Sequence, residues 1–506
     1  MRSYLGKSMA LRPERLRLER GEPRASRVMV ATGMGSVPSV KMDIPIGYLY
    51  GNKFRGPLTP LVEKIRQEIY TEPYQNIDFS RHRNNVHPCD VFYPRHPVGK
   101  LLNEVALVCE NFVPSLFRRK ALDSTYKLVV YEDENTQYQS IAPVSKMLNM
   151  VCRFAAEGPD SDAFKQHLAK IDDFLWMSEE GLMMTGTNGS QLWDLAFISQ
   201  AVVESGLAEV EANKESCSRA LDWLDKAQIR NDPKWFKEAY RHRSKGAWPF
   251  STPEQGYMVS DCAGEGLKAV LALQSLKALA HRYLSQKVDD RRLEDCVDLL
   301  LTMQNTDGGF ASYELVRGSN WLEWLSNSEV FDTPSRKPSS ICMAPKRLMG
   351  LGMVPGQGIC FTYATMFALE ALGLAGETYS NSASVRKACA FLVSHQMMDG
   401  GWGETYLSCV KDEYSQHETS QVVQTSWAIL GLIYAQYPDK QVIRRACQLI
   451  MHRQQPDGSW LQEDAEGIFN KNCVIDYPNY KFSFPIWALG KASEYLASCE
   501  ALGKER

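Results

Sequence analysis

One short pattern, repeated three times in the second half of the chain, limits the folds that this sequence can adopt. It begins with glutamine, carries Asp-Gly and ends with an aromatic residue, and it occupies residues 304–310, 396–402 and 454–460. Apolar residues at helical spacing precede each copy, such as Phe391 and Leu392 before the second. Glycine ends helices readily because it adopts the left-handed conformation there. The pattern therefore predicts a series of helices that end in turns of one common structure.

The stretches between the copies are apolar on most faces. We predict further helices over residues 261–273, 361–374 and 422–434, and this composition is typical of helices buried on both sides. Alternation of the two kinds of helix predicts an all-α fold, an α/α barrel (toroid) of two concentric helical layers. An ordinary helical solenoid is the alternative that the repeats alone leave open.

Composition argues against several classes of function. The 506 residues include 57 basic and 60 acidic ones, so the chain lacks the basic excess of a nucleic-acid-binding protein, and we expect no nucleic acid partner. Its 13 cysteines form no Cys-X-X-Cys pair, which favours a reducing, intracellular compartment. No apolar run reaches the roughly 18 residues that a membrane span requires.

The beginning of the chain differs from the rest. Residues 1–30 hold eight basic residues against three glutamates, and they carry no amphipathic pattern that could pack. The glutamates are atypical of a transit peptide, which avoids acidic residues. We predict that residues 1–38 are a disordered leader.

Three further segments carry a resemblance to a known family. They are TGTNGSQLWD at residues 185–194, VSDCAGE at 259–265 and GIFNKNCVIDYPNYKFSFPIWALG at 467–490. Together with the repeats, they resemble the oxidosqualene cyclases of the lanosterol synthase type, most of all the fungal ones, over about residues 42–495. The related bacterial squalene cyclases carry Asp-Xaa-Asp-Asp at the acid, which is absent here. The resemblance therefore implies an epoxide substrate, 2,3-oxidosqualene, and not squalene.

The resemblance implies that Asp261 is the catalytic acid. A positioned carboxyl group can donate the proton that opens an epoxide, and hydrogen bonds to the resulting carboxylate make it a stronger acid. Cys262 and Cys360 match the family cysteines that supply these bonds, and Glu265 matches the residue that returns a proton through water. Without the resemblance, Asp261 is more typical of a helix N-cap.

The resemblance also implies a set of substrate-binding and cation-binding residues. Ring closure passes through carbocations, and an aromatic face attracts a cation by about 0.5–2 kcal/mol without reacting with it. The matching positions are Trp193, Phe250, Trp402, Phe469, Ile475 and Tyr477. Ordinary core packing is the competing interpretation of each aromatic residue, and Trp402 also closes a repeat.

As a whole, the resemblance implies an isomerase that forms a tetracyclic sterol precursor such as lanosterol, without cofactor or metal. A protostadienol-type triterpene synthase is the alternative product class. The family is monotopic, which implies contact with the endoplasmic reticulum membrane or a lipid droplet from the cytosolic side. Residues 43–50 lie where its membrane-contact region begins, and a buried strand or turn is the alternative there. We predict a remnant of a first α-barrel domain over 39–165 and the catalytic barrel over 166–498.

Two segments depart from the family. Residues 36–43 lack a histidine that the family carries there, and residues 331–358 hold four prolines in place of a helical segment with an active-site tyrosine. We predict that residues 331–358 are irregular and leave the barrel wall open beside Cys360. Asp476 occupies a position where a serine is usual, and its carboxylate is predicted to quench a nearby carbocation.

These departures leave other functions open. A catalytically impaired, lipid-binding pseudo-cyclase is one alternative. A protein prenyltransferase β subunit would share the barrel, but it needs a zinc site of Asp, Cys and His, and no such histidine occurs in the predicted inner helices.

Overall fold

The computed structural model describes residues 37–79, 96–110, 112–178, 181–186, 188–239, 241–276, 288–304, 310–311, 313, 360–411, 413–469 and 473–504. The predictions for residues 1–36 of the leader, for residues 331–358 and for the turn at 305–309 lie outside these ranges. Within them the chain is helical with three short antiparallel hairpins, so the all-α prediction is confirmed.

Six helices form the N-terminal region. They are α1 (Val37–Gly51), α2 (Pro60–Ile69), α3 (Pro97–Glu110), α4 (Ser115–Asn135), α5 (Pro143–Glu157) and α6 (Asp162–Ala169). Helix α1 packs against α4 and α5, and Tyr48, Val129 and Cys152 form the buried apolar centre. Residues 43–50, predicted to be a membrane contact or a buried strand or turn, lie in α1, with Tyr48 buried and Tyr50 exposed. Helix α6 crosses the predicted domain boundary at residue 165 and packs on α5; the boundary itself stays a prediction.

The N-terminal region also buries charged groups. The carboxylate of Asp133 accepts hydrogen bonds from Asn149 (3.0 Å) and Arg153 (2.8 Å), and His167 lies 3.2 Å from it. Lys146 is fully buried and donates to the backbone oxygen of Tyr138 at 2.6 Å. Removing a partner from such a cluster is costly because it leaves an uncompensated buried charge.

The remaining elements build the barrel. They are β1 (Leu175–Ser178), β2 (Gly181–Met184), α7 (Gln191–Glu204), α8 (Glu211–Ala227), α9 (Ser260–Gln274), α10 (Asp290–Thr302), α11 (Cys360–Leu374), α12 (Ala383–Ser394), β3 (Trp402–Glu404), α13 (Leu407–Lys411), β4 (Gln416–Gln421), α14 (Val422–Tyr434), α15 (Lys440–His452), β5 (Gly467–Phe469), β6 (Cys473–Ile475) and α16 (Tyr480–Lys504). The hairpins pair β1 with β2, β3 with β4 and β5 with β6.

The barrel helices form two layers, as the repeats predicted. The inner helices follow one another in the order α9, α7, α16, α14 and α11, each in contact with the next, and α8, α10, α12 and α15 pack outside them. Helix α14 shows the burial expected of an inner helix, because all of its residues except Tyr434 are buried. One continuous apolar core joins the two layers.

The repeat turns explain why their sequence recurs. In the second copy the indole N–H of Trp402 donates to the backbone oxygen of Leu392 (2.7 Å), near the end of the outer helix α12. In the third copy Trp460 bonds Ile450 near the end of α15 in the same way (2.9 Å). Gly400 has the predicted left-handed conformation, φ +93°, but it lies in the turn beyond the C-cap His395 and does not itself end the helix. The tryptophan therefore donates to a carbonyl near the helix end, where α-helical bonds run out; the oxygen of Leu392 also accepts from the N–H of His395 at 3.1 Å.

The structure contains a copy of this turn that the sequence did not reveal. The indole of Trp248 donates to the oxygen of Leu224 near the end of α8 (2.8 Å), and Gly246 has φ +95°. Gln228 donates to the oxygens of Gly246 (2.8 Å) and Arg292 (2.9 Å), as Gln396 does to those of its own turn and of a neighbouring outer helix. The intervening residues 229–245 separate glutamine from glycine and hide the pattern.

Candidate active site

Asp261 lies in the first turn of the inner helix α9, where it is partly buried. The N-cap position is Val259, so the alternative interpretation of Asp261 as the N-cap is wrong. Its Oδ1 accepts a hydrogen bond from the backbone N–H of Cys262 at 2.7 Å. The Cys262 side chain is fully buried, and burial raises the pKa of this thiol, as do the charge of Asp261 and a hydrogen bond to it. Cys262 therefore stays a neutral thiol, able to donate to the carboxylate.

The second predicted cysteine, Cys360, begins the inner helix α11. Its side chain lies outside the described part of the structure, so the contact with Asp261 stays a prediction. The start of α11 is held by Glu404, which accepts from the backbone N–H groups of Phe361 (3.0 Å) and Thr362 (2.9 Å). Burial raises the pKa of Glu404, although these bonds oppose the shift. Glu404 follows the repeat tryptophan by two residues and was not among the residues predicted from the sequence.

Three of the predicted aromatic residues belong to one group of rings, and one of them, Tyr477, lies close to Asp261. The indole N–H of Trp193 donates to the hydroxyl of Tyr480 at 2.6 Å, and the ring of Phe250 lies 6.1 Å from that of Trp193. Tyr477 stacks on Tyr480 with ring centres 4.6 Å apart. Burial raises the pKa of Tyr477, and the nearby charge of Asp261 raises it further. Residues distant in sequence are thus brought to one end of the inner helices.

Tyr480 and four further aromatic residues, none of them predicted, complete this cluster. The ring of Phe197 lies 4.6 Å from Trp193, and Tyr363, on α11, hydrogen-bonds to Tyr480. Trp427 lies 4.6 Å from Tyr363, and Phe484 lies 5.6 Å from Trp427. Helical spacing on the predicted inner helices was the signal that could have found Tyr363 and Trp427. We refer to the rings of Trp193, Phe197, Phe250, Tyr363, Trp427, Tyr477, Tyr480 and Phe484 as the aromatic cluster.

The other predicted residues have different surroundings. Trp402 is fully buried, and its indole N–H is bound within the repeat turn. Among the described residues, none of the ring contacts joins Trp402 to the aromatic cluster. Ile475 is partly buried against the core and pairs with Gly467 on the hairpin of β5 and β6. Phe469 ends β5, and its side chain lies outside the described part of the structure.

Two carboxyl groups lie at this hairpin, the predicted Asp476 and Glu466, which was not predicted. Asp476 is exposed, so a direct effect of its charge on a buried cation is weak. The buried Glu466 instead accepts from the backbone N–H of Tyr477 at 2.9 Å. Burial raises the pKa of Glu466 to about 7, and the charge of Asp476 adds to the shift. Glu466 is therefore the carboxyl group whose protonation can change the charge beside the cluster.

Glu265 is buried one helical turn after Asp261 on α9. It accepts from the side chain of Gln200 at 2.8 Å and from Lys268 at 3.1 Å. Across the described residues, histidine, cysteine and carboxylate side chains do not gather in groups of three or more that could hold a metal ion. None of the helices in the described ranges has the length and hydropathy that a membrane span requires.

Comparisons with known proteins identify the relatives of this chain. The profile of the squalene-hopene cyclase C-terminal domain matches residues 189–336 and 353–494, and its interruption falls within the departing segment 331–358. A lanosterol synthase of Pneumocystis carinii is 46% identical over 487 residues, 89% of this chain and 67% of that protein. A cycloartenol synthase of Dictyostelium discoideum is 41% identical over 90% of this chain and 68% of its own length. The human lanosterol synthase is 36% identical over 89% of this chain and 66% of its length. The chain thus spans about two thirds of these relatives.

Proposed function

The chain belongs to the oxidosqualene cyclase family, and we propose that it converts (S)-2,3-oxidosqualene into a tetracyclic sterol precursor such as lanosterol. The observation that carries the proposal is the position of Asp261. This acid lies beside a neutral thiol and close to Tyr477 of the aromatic cluster, which consists of rings from several inner helices. The relatives named lanosterol synthase support the same reaction.

The proposed reaction begins with proton transfer. The carboxyl group of Asp261 donates its proton to the epoxide oxygen, the carbon–oxygen bond breaks towards that oxygen, and an alcohol and a carbocation result. The carbon–carbon double bonds of the substrate then attack in turn, and each ring closure moves the positive charge along the chain. Loss of a proton from the last cation balances the proton taken up at the start, so the reaction is an isomerisation.

The surrounding residues act on these two steps. The buried thiol of Cys262 donates to the carboxylate that Asp261 becomes, which favours release of the proton. The faces of the aromatic cluster attract the moving cation by about 0.5–2 kcal/mol each, and their carbons do not trap it. The hydrogen bond from Trp193 to Tyr480 and the contact of Trp427 with Tyr363 fix these rings, so the stabilisation needs no rearrangement.

The substrate is an apolar lipid, which leads to a proposal about location. We infer monotopic contact with the cytosolic face of the endoplasmic reticulum membrane or with lipid droplets. Leu61, Ile65 and Ile69 recur every fourth residue on α2, and all three are exposed, with Leu61 and Ile69 each 66% accessible. An exposed apolar face of this kind can lie in a membrane interface.

Flotation with phospholipid vesicles tests this location. The wild-type chain should float with the vesicles, whereas Leu61→Glu/Ile69→Glu should float much less because two charges replace the apolar face. Glu63→Lys, on the same helix, is the control and should not weaken binding. Equal flotation of the double variant and the wild type would remove α2 from the membrane contact.

Product formation in cells tests the proposed reaction. The chain would be expressed in a host that lacks sterol synthase and is fed labelled oxidosqualene, with Asp261→Asn as the matched variant. We expect a labelled tetracyclic alcohol from the wild type and none from the variant. A protostane-type or cycloartenol-type product would keep the enzyme class and change the product. A soluble wild-type chain that forms no product would favour the impaired, lipid-binding alternative.

A further inference from the structure

A buried carboxylate holds the chain directly before Tyr477 of the aromatic cluster. Glu466 is 4% exposed and precedes β5, and its backbone N–H donates to the oxygen of Ile475 on β6 at 3.2 Å. Its side chain accepts from the backbone N–H of Tyr477 at 2.9 Å. One residue therefore holds the chain on both sides of Asp476, which separates Ile475 from Tyr477.

The carboxylate of Glu466 is itself fixed in orientation. The side-chain amide of Gln462 donates to its Oε1 at 2.6 Å, while Oε2 binds Tyr477, so both oxygens have a partner. A side chain whose own hydrogen bonds lock its conformation places the group that it binds more precisely. An ionised acceptor also binds an N–H roughly twice as strongly as a neutral one. The contact is therefore suited to fix the backbone of Tyr477.

Tyr477 connects this contact with the acid and with the other rings. Its backbone oxygen accepts from the N–H of Tyr480 at 2.8 Å, at the start of α16. Its ring stacks on that of Tyr480, with the ring planes 15° apart. Burial raises the pKa of Tyr477, and the nearby charge of Asp261 adds to the shift. A displacement of the Tyr477 backbone would therefore move its ring relative to both neighbours.

Asp464, two residues before Glu466, has a different set of contacts. Its carboxylate lies 3.3 Å from His417 and accepts from Gln421 at 3.2 Å, and both partners belong to β4. Asp464 thus bonds to another hairpin, whereas Glu466 bonds to Tyr477. Since the two carboxylates lie in one segment and differ in their partners, Asp464 is the matched control for Glu466.

We propose that Glu466 is a positioning residue that fixes the ring of Tyr477 and so determines how often cyclisation runs to the last ring. Glu466 lies outside the aromatic cluster and acts on the cation through that ring. The inference rests on the proposed function, and it adds to it a residue that sets the proportion of fully cyclised product.

The proportion depends on a competition between two fates of a carbocation. The next double bond of the substrate can attack the cation and close a further ring. Alternatively, a carbon beside the cation loses a proton to water, and the electron pair of that C–H bond becomes a double bond in an incompletely cyclised alcohol. A ring face held in place beside the cation stabilises the route through ring closure, whereas a displaced ring lets the loss of the proton compete.

Protonation of Glu466 should weaken the contact. Burial raises the pKa of Glu466 to about 7 against the bonds from Tyr477 and Gln462, and the charge of Asp476 adds to the shift. Above this pH the group is an ionised acceptor, and below it a neutral carboxyl accepts more weakly. The share of fully cyclised product should therefore fall as the pH falls through about 7. The titratable groups that surround the contact are Asp476 beside Glu466 and, around Tyr477, Asp194, Asp261 and Cys262.

Product analysis of the full chain tests this role. The ratio of tetracyclic to incompletely cyclised alcohols does not depend on how much of the chain is folded, and Asp261 acts before the two routes divide. Glu466→Ala should lower this ratio by about tenfold, because one cation–π contact is lost from one of two competing routes. Glu466→Gln, which keeps a neutral acceptor, should give an intermediate ratio that does not change with pH.

Asp464→Ala is the control for this experiment and should keep the wild-type ratio. An equal change of the ratio in Asp464→Ala would assign the effect to a loosened segment and overturn the proposal. A wild-type ratio in Glu466→Ala would overturn it as well, because cyclisation would then be complete without the contact.

A double-mutant cycle tests whether Glu466 acts through the ring of Tyr477. Tyr477→Ala should itself lower the product ratio. When this ring is absent, Glu466→Ala should lower the ratio no further. Additive effects of the two substitutions would show that Glu466 acts independently of the ring, which would contradict its positioning role.

Nuclear magnetic resonance of the chain labelled in its tyrosine amides tests the contact without catalysis. The amide signal of Tyr477 should shift with pH around a midpoint of about 7 in the wild type. Glu466→Gln should abolish this titration, and Asp464→Ala should keep it. A wild-type amide of Tyr477 that does not titrate would overturn the proposal whatever the activity. A wild type that shows the titration but forms no product would instead contradict the proposed function.

Discussion

The barrel and the N-terminal region, helices α1–α6, are held together in different ways. The barrel packs its two helical layers around one continuous apolar core. The N-terminal region has an apolar centre of three buried residues and relies on the charged cluster of Asp133, Arg153 and His167. Apolar packing tolerates many substitutions of similar volume, whereas a buried charge depends on its particular partner. The two regions should therefore fail under different mutations.

The contact between the two regions is also largely polar. Tyr257, which precedes α9, donates a hydrogen bond to the buried carboxylate of Glu132 on α4. Tyr131 stacks on Trp235 with ring centres 5.8 Å apart, and Asn135 donates to the backbone oxygen of Lys234 at 2.9 Å. One end of α4 thus connects the N-terminal region to the segment that leads into the helix of the catalytic acid.

The largest effect should come from breaking the charged cluster. Asp133→Ala removes the fully buried carboxylate that Arg153, Asn149 and His167 share and leaves Arg153 only the partly exposed Glu157, so we expect it to cost about 3–5 kcal/mol. The N-terminal region should then unfold more readily than the barrel. Hydrogen exchange measures this: amides of the N-terminal region should lose protection, while the barrel amides keep theirs. A barrel that loses protection to the same extent would show that the two regions unfold as one unit.

The barrel counterpart is Leu430→Ala in the buried helix α14. The cavity should cost about 2–5 kcal/mol, and here the barrel amides should lose protection while Asp133 and its partners stay ordered. Comparison of the two variants separates the regions, because each variant should lower amide protection in one region and leave it unchanged in the other.

A smaller effect tests the fourth repeat turn. Trp248→Phe and Trp402→Phe each remove one indole hydrogen bond to a carbonyl near a helix end, and we expect losses of about 1–3 kcal/mol. The loss should be the smaller one for Trp402, because the oxygen of Leu392 keeps the N–H of His395. Denaturant unfolding monitored by circular dichroism measures them. Trp235→Phe, half exposed, is the control and should cost less. A Trp248 variant as stable as this control would deny the turn its structural role.

The smallest effect is a pH dependence of the N-terminal region. Burial lowers the pKa of Lys146 from 10.5 to about 8, and the carboxylate of Asp133 opposes part of the shift. Between these values the unfolded chain binds more protons than the folded one, so stability should rise with pH by about 1 kcal/mol per unit from pH 8 to 9. Lys146→Met should remove this slope, and Lys127→Met, at an exposed position, should keep it. An unchanged slope in Lys146→Met would assign it to other groups.

The same contrast explains what the sequence could predict. Helical period and Asp-Gly turns are local signals, so the inner helices and the capped outer ones were found from them. The turn of Trp248 escaped because its glutamine and glycine lie 18 positions apart, Gln228 to Gly246. Buried ionic contacts, such as Asp133 with Arg153 and Lys268 with Glu370, join residues whose proximity only the fold creates.

The candidate site shows the same limit, because residues within a sequence motif were predicted and residues that contribute only through folded contacts were not. The resemblance singled out Asp261, Cys262, Trp193 and Tyr477, which carry a sequence motif, and the structure places them at one end of the inner helices. It did not single out Glu404, which acts through the start of another helix. Trp402 closes a repeat and was also predicted to bind a cation, because turn and site use the same amino acid. The structure shows its contact in the turn, and its cation-binding role stays a prediction.

The proposal that Asp261 protonates an epoxide beside the aromatic cluster is tested most directly with the purified chain in detergent micelles. The two substrates, 2,3-oxidosqualene and squalene, are supplied separately. We expect the wild type to convert the epoxide to a tetracyclic alcohol and to leave squalene unchanged. Asp261→Asn should keep the wild-type circular dichroism and melting temperature but lose activity. Conversion of oxidosqualene by folded Asp261→Asn at a rate within about tenfold of the wild type, a barrier change of only ~1.4 kcal/mol, would contradict the account.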